Sequence, residues 1–338
     1  MELVKLEVKL LEPALFNARK LGNVYIHSSA YIPAGTLKGA IVNEIFKRDE
    51  GLGKKALEEL SVSNAYPSGS LPTHAYLFLT KRKHNDFIEK KGILSLGQEI
   101  YEEKRYRDEL EELKGMNREY EPKSVIGETV KFERELERHS VYTRASASFR
   151  ILPNVAVSKK SGSSQKGMLF FYEIMDVREV DSKDRAMPDE ERSKKTGVAG
   201  FWGLVDYDVW KELKLEDELV LSLGKGRIGG LAEVKVVQKS VNYAEKGNAY
   251  CFTQCAPSFG SAVFFRADRF LSATSVYQGW FTNDYFASRK PSFTTMKEGS
   301  LVSISDASKA SRVMPAGLNF MLSIDDARSL LRAVGEVG

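Results

Sequence analysis

The chain has 338 residues, 42% hydrophobic and 28% charged, which is material for roughly two domains and too apolar for a disordered or fibrous protein. Its 50 basic and 46 acidic residues leave a formal charge of +4, too small a sum to imply a nucleic-acid partner by itself. Two cysteines exclude a disulfide framework or a four-cysteine zinc ribbon. No apolar run approaches the ~20 residues of a membrane-spanning helix. The start, Met1-Glu-Leu-Val-Lys5, lacks a signal peptide's apolar block, so the expectation is a cytoplasmic protein with no membrane partner.

Val4, Leu6, Val8 and Leu10 alternate with Lys5, Glu7 and Lys9, the pattern of a half-buried strand that Glu12-Pro13 ends. A β-like piece, Asn23–Ile26, leads to Tyr31-Ile-Pro-Ala-Gly-Thr36, where Pro33 and Gly35 predict a turn and Thr36 a helix N-cap. Leu37, Ile41, Val42, Ile45 and Phe46 recur at helical spacing, and Gly39 and Ala40 leave room for another backbone to approach. Residues 81–140 are highly charged and poor in apolar residues, which predicts a solvent-facing helical excursion inserted in the first domain. Ser158–Gly167 reads as a Gly/Ser/Lys loop between β-like Phe149–Val157 and Met168–Met175. After a short helix near Tyr207–Leu213, Leu219, Leu221 and Leu223 alternate before Gly224-Lys-Gly-Arg-Ile-Gly-Gly230, and Ala232, Val234 and Val236 alternate after it. The order is β-α-β-β-α-β, a ferredoxin-like or RRM topology. Beyond about 245 a second unit holds strand-like Ala262–Arg266 and Leu301–Ile304, with no internal repeat.

The charge is unevenly spread. Arg138, Arg144, Arg150, Lys159, Lys160 and Lys166 lie between 138 and 172 without one acidic residue, so this stretch carries +6 and the remainder −2. Such an island suits a phosphate backbone, or its charges pair with acids elsewhere. Four glycines in seven residues at 224–230 free backbone N–H groups for an anion, beside Lys225 and Arg227; the alternative is an ordinary hairpin turn. It is neither a Walker loop nor a dinucleotide fingerprint, since a strand follows instead of a helix. His27, His74, His84 and His139 show no metal-ligand spacing. His27, with Lys38 further along, could serve in metal-free RNA cleavage, although a lone loop histidine is more often merely exposed. Cys251-x3-Cys255 lacks the setting of a redox motif. No nucleophile elbow, two-metal acidic cluster or RNP1 string occurs.

Tyr31-Ile-Pro-Ala-Gly-Thr-Leu-Lys-Gly39, Leu223-Gly-Lys-Gly-Arg-Ile-Gly-Gly-Leu-Ala-Glu-Val234, and Met168-Leu-Phe-Phe-Tyr-Glu173 followed by Gly200-Phe-Trp-Gly203 resemble the motifs of the RAMP superfamily of CRISPR-associated proteins. Asn64-Ala-Tyr-Pro67 with Leu71-Pro72, Gln278-Gly-Trp280, Lys290-Pro291 and Glu298-Gly-Ser-Leu-Val302 resemble the type III (Csm/Cmr-like) subunit that caps the crRNA 5′ end. The resemblance touches most of the chain outside 81–140. It implies an α+β fold of two ferredoxin-like units, the second degenerate: 1–244, carrying the glycine-rich loop and the long charged insertion, and 245–338. It further implies a non-catalytic crRNA-binding subunit, without cofactor or metal, whose partners are the large polymerase-like subunit and the backbone RAMP subunits. Gly224, Lys225, Gly226, Arg227, Gly229 and Gly230 would cradle the 5′ handle, Thr36 and Lys38 would lie near it, and Arg144, Arg150, Lys159, Lys160 and Lys166 would reach along the guide or its target duplex. Ala34 departs from the family's usual Gly at that position. The catalytic Asp of the target-cutting backbone subunit has no counterpart, because 17–30 contains neither Asp nor Glu. A repeat-cleaving endoribonuclease using His27 and a pure scaffold subunit are the alternatives.

Overall fold

The alternation at the start of the chain folds into β1 (Leu3–Leu10), whose Leu6, Val8 and Leu10 are buried while Glu7 and Lys9 face solvent. The computed structural model describes residues 1–21, 25–80, 86–116, 122–157, 164–179, 197–198, 200–224, 229–278, 280–282, 287–289 and 291–325. Around β1 lie β2 (Asn17–Leu21), β3 (Tyr25–Ser28), α1 (Ala34–Arg48), α2 (Glu50–Glu59) and β4 (Tyr66–Pro67). Later segments add β5 (Phe149–Val157), β6 (Ser164–Met175), β7 (Gly200–Asp206), α3 (Tyr207–Glu212), β8 (Glu218–Leu223) and β9 (Gly230–Val241). One sheet runs β8-β9-β1-β7-β4 and another β5-β6-β3-β2. The Ser158–Gly167 loop is shorter than expected, because Ser164–Gly167 already belongs to β6.

Helix α1 buries Leu37, Ile41, Val42 and Ile45 in a core shared with Leu6, Val8, Leu219, Leu221, Ala232 and Val234. Each such aliphatic side chain contributes about 1.5–3 kcal/mol relative to exposure. The helix begins at Ala34, not after Thr36, and Thr36 lies in its first turn with its N–H on Pro33 O at 2.9 Å. The N-cap residue is Pro33, whose ring offers no acceptor, so Asn64 Oδ1 supplies one to Ala34 N at 2.9 Å. The bridge between Ile32 and Ala65 brings Asn64 to that place. Gly39 is exposed and its missing Cβ would meet no atom within 4 Å, so no neighbouring backbone accounts for it.

The chain forms two compact units: 4–68 with 146–239, and 1–3 with 69–145 and the chain from 240 onward. Residues 69–145 therefore group with the C-terminal stretch. The helical excursion expected over 81–140 is present as short turns at Ile93–Ser95 and Gly97–Tyr101 and a longer helix at Glu103–Met116, but strands lie beside them and the region is not purely solvent-facing. Phe87, Ile93, Leu94, Ile100, Leu113 and Val130 in it are buried. Its six-stranded sheet runs Ser70–Pro72, Thr129–Glu135, His139–Arg144, Phe87–Lys90, Phe78–Leu79, Lys123–Ser124. The helix is held both by ion pairs, Lys90 with Glu109 and Glu112 and Arg105 with Glu109, and by apolar contacts, with Leu113 buried and the Tyr106 ring against Tyr76 and Phe78. The same unit carries a four-stranded sheet ordered Arg266–Leu271, Leu301–Asp306, Gly247–Cys251, Met321–Ser323. No helix of the described residues is long and apolar enough to cross a membrane.

Candidate nucleic-acid interface

The glycine-rich segment closes the antiparallel hairpin β8/β9. Leu219 faces Val234, Leu221 faces Ala232 and Leu223 faces Gly230, so the alternating aliphatics on both sides of the loop share one buried face. Gly224 opens the loop at φ +110°, a conformation side chains rarely adopt. At the other end a Cβ on Gly230 would stand 2.5 Å from Glu12 O and 2.7 Å from Pro13 O. Two of the loop glycines are thus required by the fold itself. Gly229 is half-buried, and Lys225, Gly226 and Arg227 lie outside the described residues.

The other predicted cations divide into three groups. Lys38 is buried and its ammonium donates to Leu57 O at 2.8 Å, near the C-terminal end of α2. Such a carbonyl end is where a cation is favoured. Thr36, two residues earlier on α1, is half-buried. Arg144 is ion-paired with Glu128 and its guanidinium lies 5.9 Å from the Phe87 ring centre. Arg150 makes a two-pronged pair to Asp176 Oδ2, at 3.2 Å from Nε and 2.8 Å from a terminal nitrogen. Both acids sit just beyond the all-basic stretch: between 128 and 176 there are eight basic and six acidic residues, a net of +2. Lys159 and Lys160 lie outside the described residues, and Lys166 stands on β6, where the backbone alone is described. On that hairpin Ile151, Val155 and Leu169 are exposed.

His27 acquires a partner that its neighbours in sequence do not announce. Strand β6 pairs in parallel with β3, Phe171 beside Tyr25 and Tyr172 beside Ile26. The next residues in that register are His27 and Glu173, and Nδ1 of the one stands 2.6 Å from Oε2 of the other. Their side chains remain 37% and 19% exposed, so solvent reaches the pair. At a sequence separation of 146, no local motif could have signalled it. Glu12 and Asn64 were likewise missed as site-shaping residues, although the Pro33 helix start signals that some distant acceptor is needed.

Other titratable groups are buried in the unit containing 69–145. His74 Nε2 lies 3.3 Å from Glu89 Oε1, and Tyr142 OH donates to Glu89 Oε2 at 2.6 Å. Burial lowers the His139 pKa from its ordinary value and raises that of Glu298. Cys251 and Cys255 are buried free thiols, and burial pushes the Cys255 thiol well up. Among the described residues no group of three or more His, Cys, Asp or Glu could hold a metal ion.

The class of protein that this architecture defines is α+β, with mostly antiparallel sheets and few helices, consistent with RRM-like units. No protein-family model matches the sequence, and no curated relative matches it. Among solved structures, the chain is similar to a chain in the cryo-EM structure of the type III-B Cmr-beta bound to cognate target RNA. That alignment has a TM-score of 0.50 and 13% identity, and covers 94% of this chain and 96% of that one. A chain of type III-B Cmr-beta bound to cognate target RNA and AMPPnP aligns with a TM-score of 0.46 and 12% identity, over 88% and 86% of the two chains. A chain of apo Cmr-beta aligns at 0.36 and 9%, over 70% and 98%. The fold assignment rests on the first: over the 94% of its length that aligns, this chain is similar in fold to a type III-B Cmr-beta chain.

Proposed function

We propose that the chain is a non-catalytic RNA-binding subunit of a type III CRISPR effector complex, holding the crRNA 5′ handle at the β8/β9 loop. The observation that carries this reading is the fold likeness, which spans 94% of this chain and 96% of a chain from an RNA-bound type III-B assembly. The strand order β9-β1-β7-β4 supports a ferredoxin-like first unit, with β8 added at its edge. A second, degenerate ferredoxin-like unit then completes the pair. In this reading loop glycines let backbone N–H groups approach phosphate oxygens, while Lys225 and Arg227 displace condensed counterions. Lys159, Lys160 and Lys166 extend the contact along the guide or its target. Arg144 and Arg150, already ion-paired, contribute less. The large polymerase-like subunit and backbone RAMP subunits are the protein partners, in the cytoplasm.

Charge reversal at Lys225 and Arg227 together tests the site. Guide-RNA affinity should fall at least roughly tenfold, and the slope of log K against log salt should flatten by about 2. Wild-type affinity and slope in the double variant would remove these residues from the interface.

The solvent-reached His27–Glu173 pair favours one competing reading, a repeat endoribonuclease in which the carboxylate orients the imidazole for proton transfer. Incubation with repeat RNA in EDTA discriminates. Cleavage that disappears in His27→Ala would convert the binding protein into an enzyme.

A further inference from the structure

We infer that Glu12 is a positioning residue for the glycine-rich loop, an inference that rests on the RNA-binding reading above. The start of β9 is docked on the turn that follows β1. Leu11 N and Glu12 N both donate to Leu231 O, at 2.9 and 3.1 Å, and Leu231 N donates in return to Glu12 Oε2 at 3.1 Å. Both backbone polar groups of Leu231 are therefore bound to residues 11–12. Beside them Gly230 lies so close to Glu12 O and Pro13 O that even a methyl group would collide. Pro13 stiffens the turn by fixing its own φ. Two residues later Ala14 exchanges hydrogen bonds with Met175, N to O at 3.1 Å and O to N at 2.8 Å. One four-residue segment, 11–14, thus buckles the exit of the glycine hairpin to the base of the β5/β6 hairpin, which carries Lys166. At the loop's other end Gly224 takes a left-handed backbone.

The choice of glutamate at this place is informative. An exposed carboxylate at the foot of a polyanion-binding loop repels phosphate, so on charge alone it weakens binding. Its compensation is geometric: it accepts the N–H at the loop exit and holds the loop's downstream end in one place. Charge and position therefore act on RNA affinity with opposite signs, and substitutions separate them. Glu12→Gln keeps an acceptor oxygen of the same reach and discards the charge. Glu12→Ala discards both. Gly230→Ala leaves Glu12 intact and forces the seam open.

The experiment titrates a guide RNA bearing the 5′ handle against the full chain and each variant, with amide hydrogen exchange at Leu231 recorded in parallel. Glu12→Ala should weaken binding by roughly tenfold, the equivalent of losing one charge-assisted hydrogen bond, and should expose the Leu231 amide to exchange. Glu12→Gln should keep that amide protected and tighten binding by about twofold as the repulsion disappears. Gly230→Ala should follow Glu12→Ala. If Glu12→Ala tightens binding to the same degree as Glu12→Gln while the wild-type chain binds, Glu12 is only a repelling bystander and the inference falls alone. A wild-type chain without affinity for the guide overturns the RNA reading and this inference together.

Discussion

Residues 4–68 and 146–239 bury a mostly apolar set of aliphatic and aromatic side chains, with Lys38 and Asp206 the buried charged residues among those described. The unit formed by 69–145 and the chain beyond 240 instead buries His74, Glu89, Glu109, His139 and Glu298. The first arrangement is non-directional and tolerates small shifts, because apolar burial depends on area. The second depends on pairings at fixed distance, such as Tyr142 OH on Glu89 and Arg105 on Glu109, and loses much when one partner is removed. The difference teaches where each unit is vulnerable: one to lost volume, the other to altered backbone or proton count.

The largest expected effect falls on the polar unit. Gly299 has φ +84°, and a Cβ there would stand 2.0 Å from Thr73 O, where the neighbour is backbone and cannot turn aside. Thr73 in turn holds the 125–128 turn, accepting Gly127 N at 2.9 Å on its carbonyl and Glu128 N at 3.0 Å on its hydroxyl. Gly299→Ala should cost about 3 kcal/mol or more in urea unfolding. Hydrogen exchange should rise over 69–145 and 240–325 and stay low in β1 and α1. Equal loss in both regions would erase the contrast between them.

A smaller effect follows from pH. The folded state depresses the His139 pKa below its usual 6.5, chiefly by burial and against the attraction of Glu112 and Glu109, with Lys90 and Arg138 adding to the depression. Below pH 6.5 the unfolded chain then binds more protons, so stability is intact above that value and declines as pH falls toward the folded pKa. Glu298 works in the opposite sense: its raised pKa favours the folded state in acid, and that contribution is lost as pH rises above 4.5. Urea midpoints between pH 7 and 5 should decline in the wild type and flatten in His139→Gln. A parallel decline in the variant would assign the acid sensitivity to other groups.

The smallest change should come from the exposed pair of Arg150, whose side chain is 55% exposed. Arg150→Ala should alter stability by no more than about 0.5 kcal/mol in thermal melts, as surface pairs generally do. Loss well beyond that would mean that the apolar unit also leans on its ion pairs.

How far the sequence reached can be followed residue by residue. The buried stripe of α1, the alternation of β1 and the hairpin around 224–230 all emerge as their spacing predicts, since each depends on neighbours a few positions apart. Residues 81–140 misled because Lys90, Glu109 and Glu112 read as a solvated surface until their partners are known. Of the two readings left open for the all-basic stretch, pairing with acids outside it describes Arg144 and Arg150, which meet Glu128 and Asp176.

Periodicity along the chain therefore determined the central strand, the amphipathic helix and the place of the glycine turn. Tertiary structure alone decided that Asn64 caps α1 from 30 residues away, that Glu173 meets His27, and that Glu12 clasps Leu231 across 219 positions. Local order follows from steric and burial preferences of adjacent residues. Those three contacts exist only once strand register has set which distant side chains face one another.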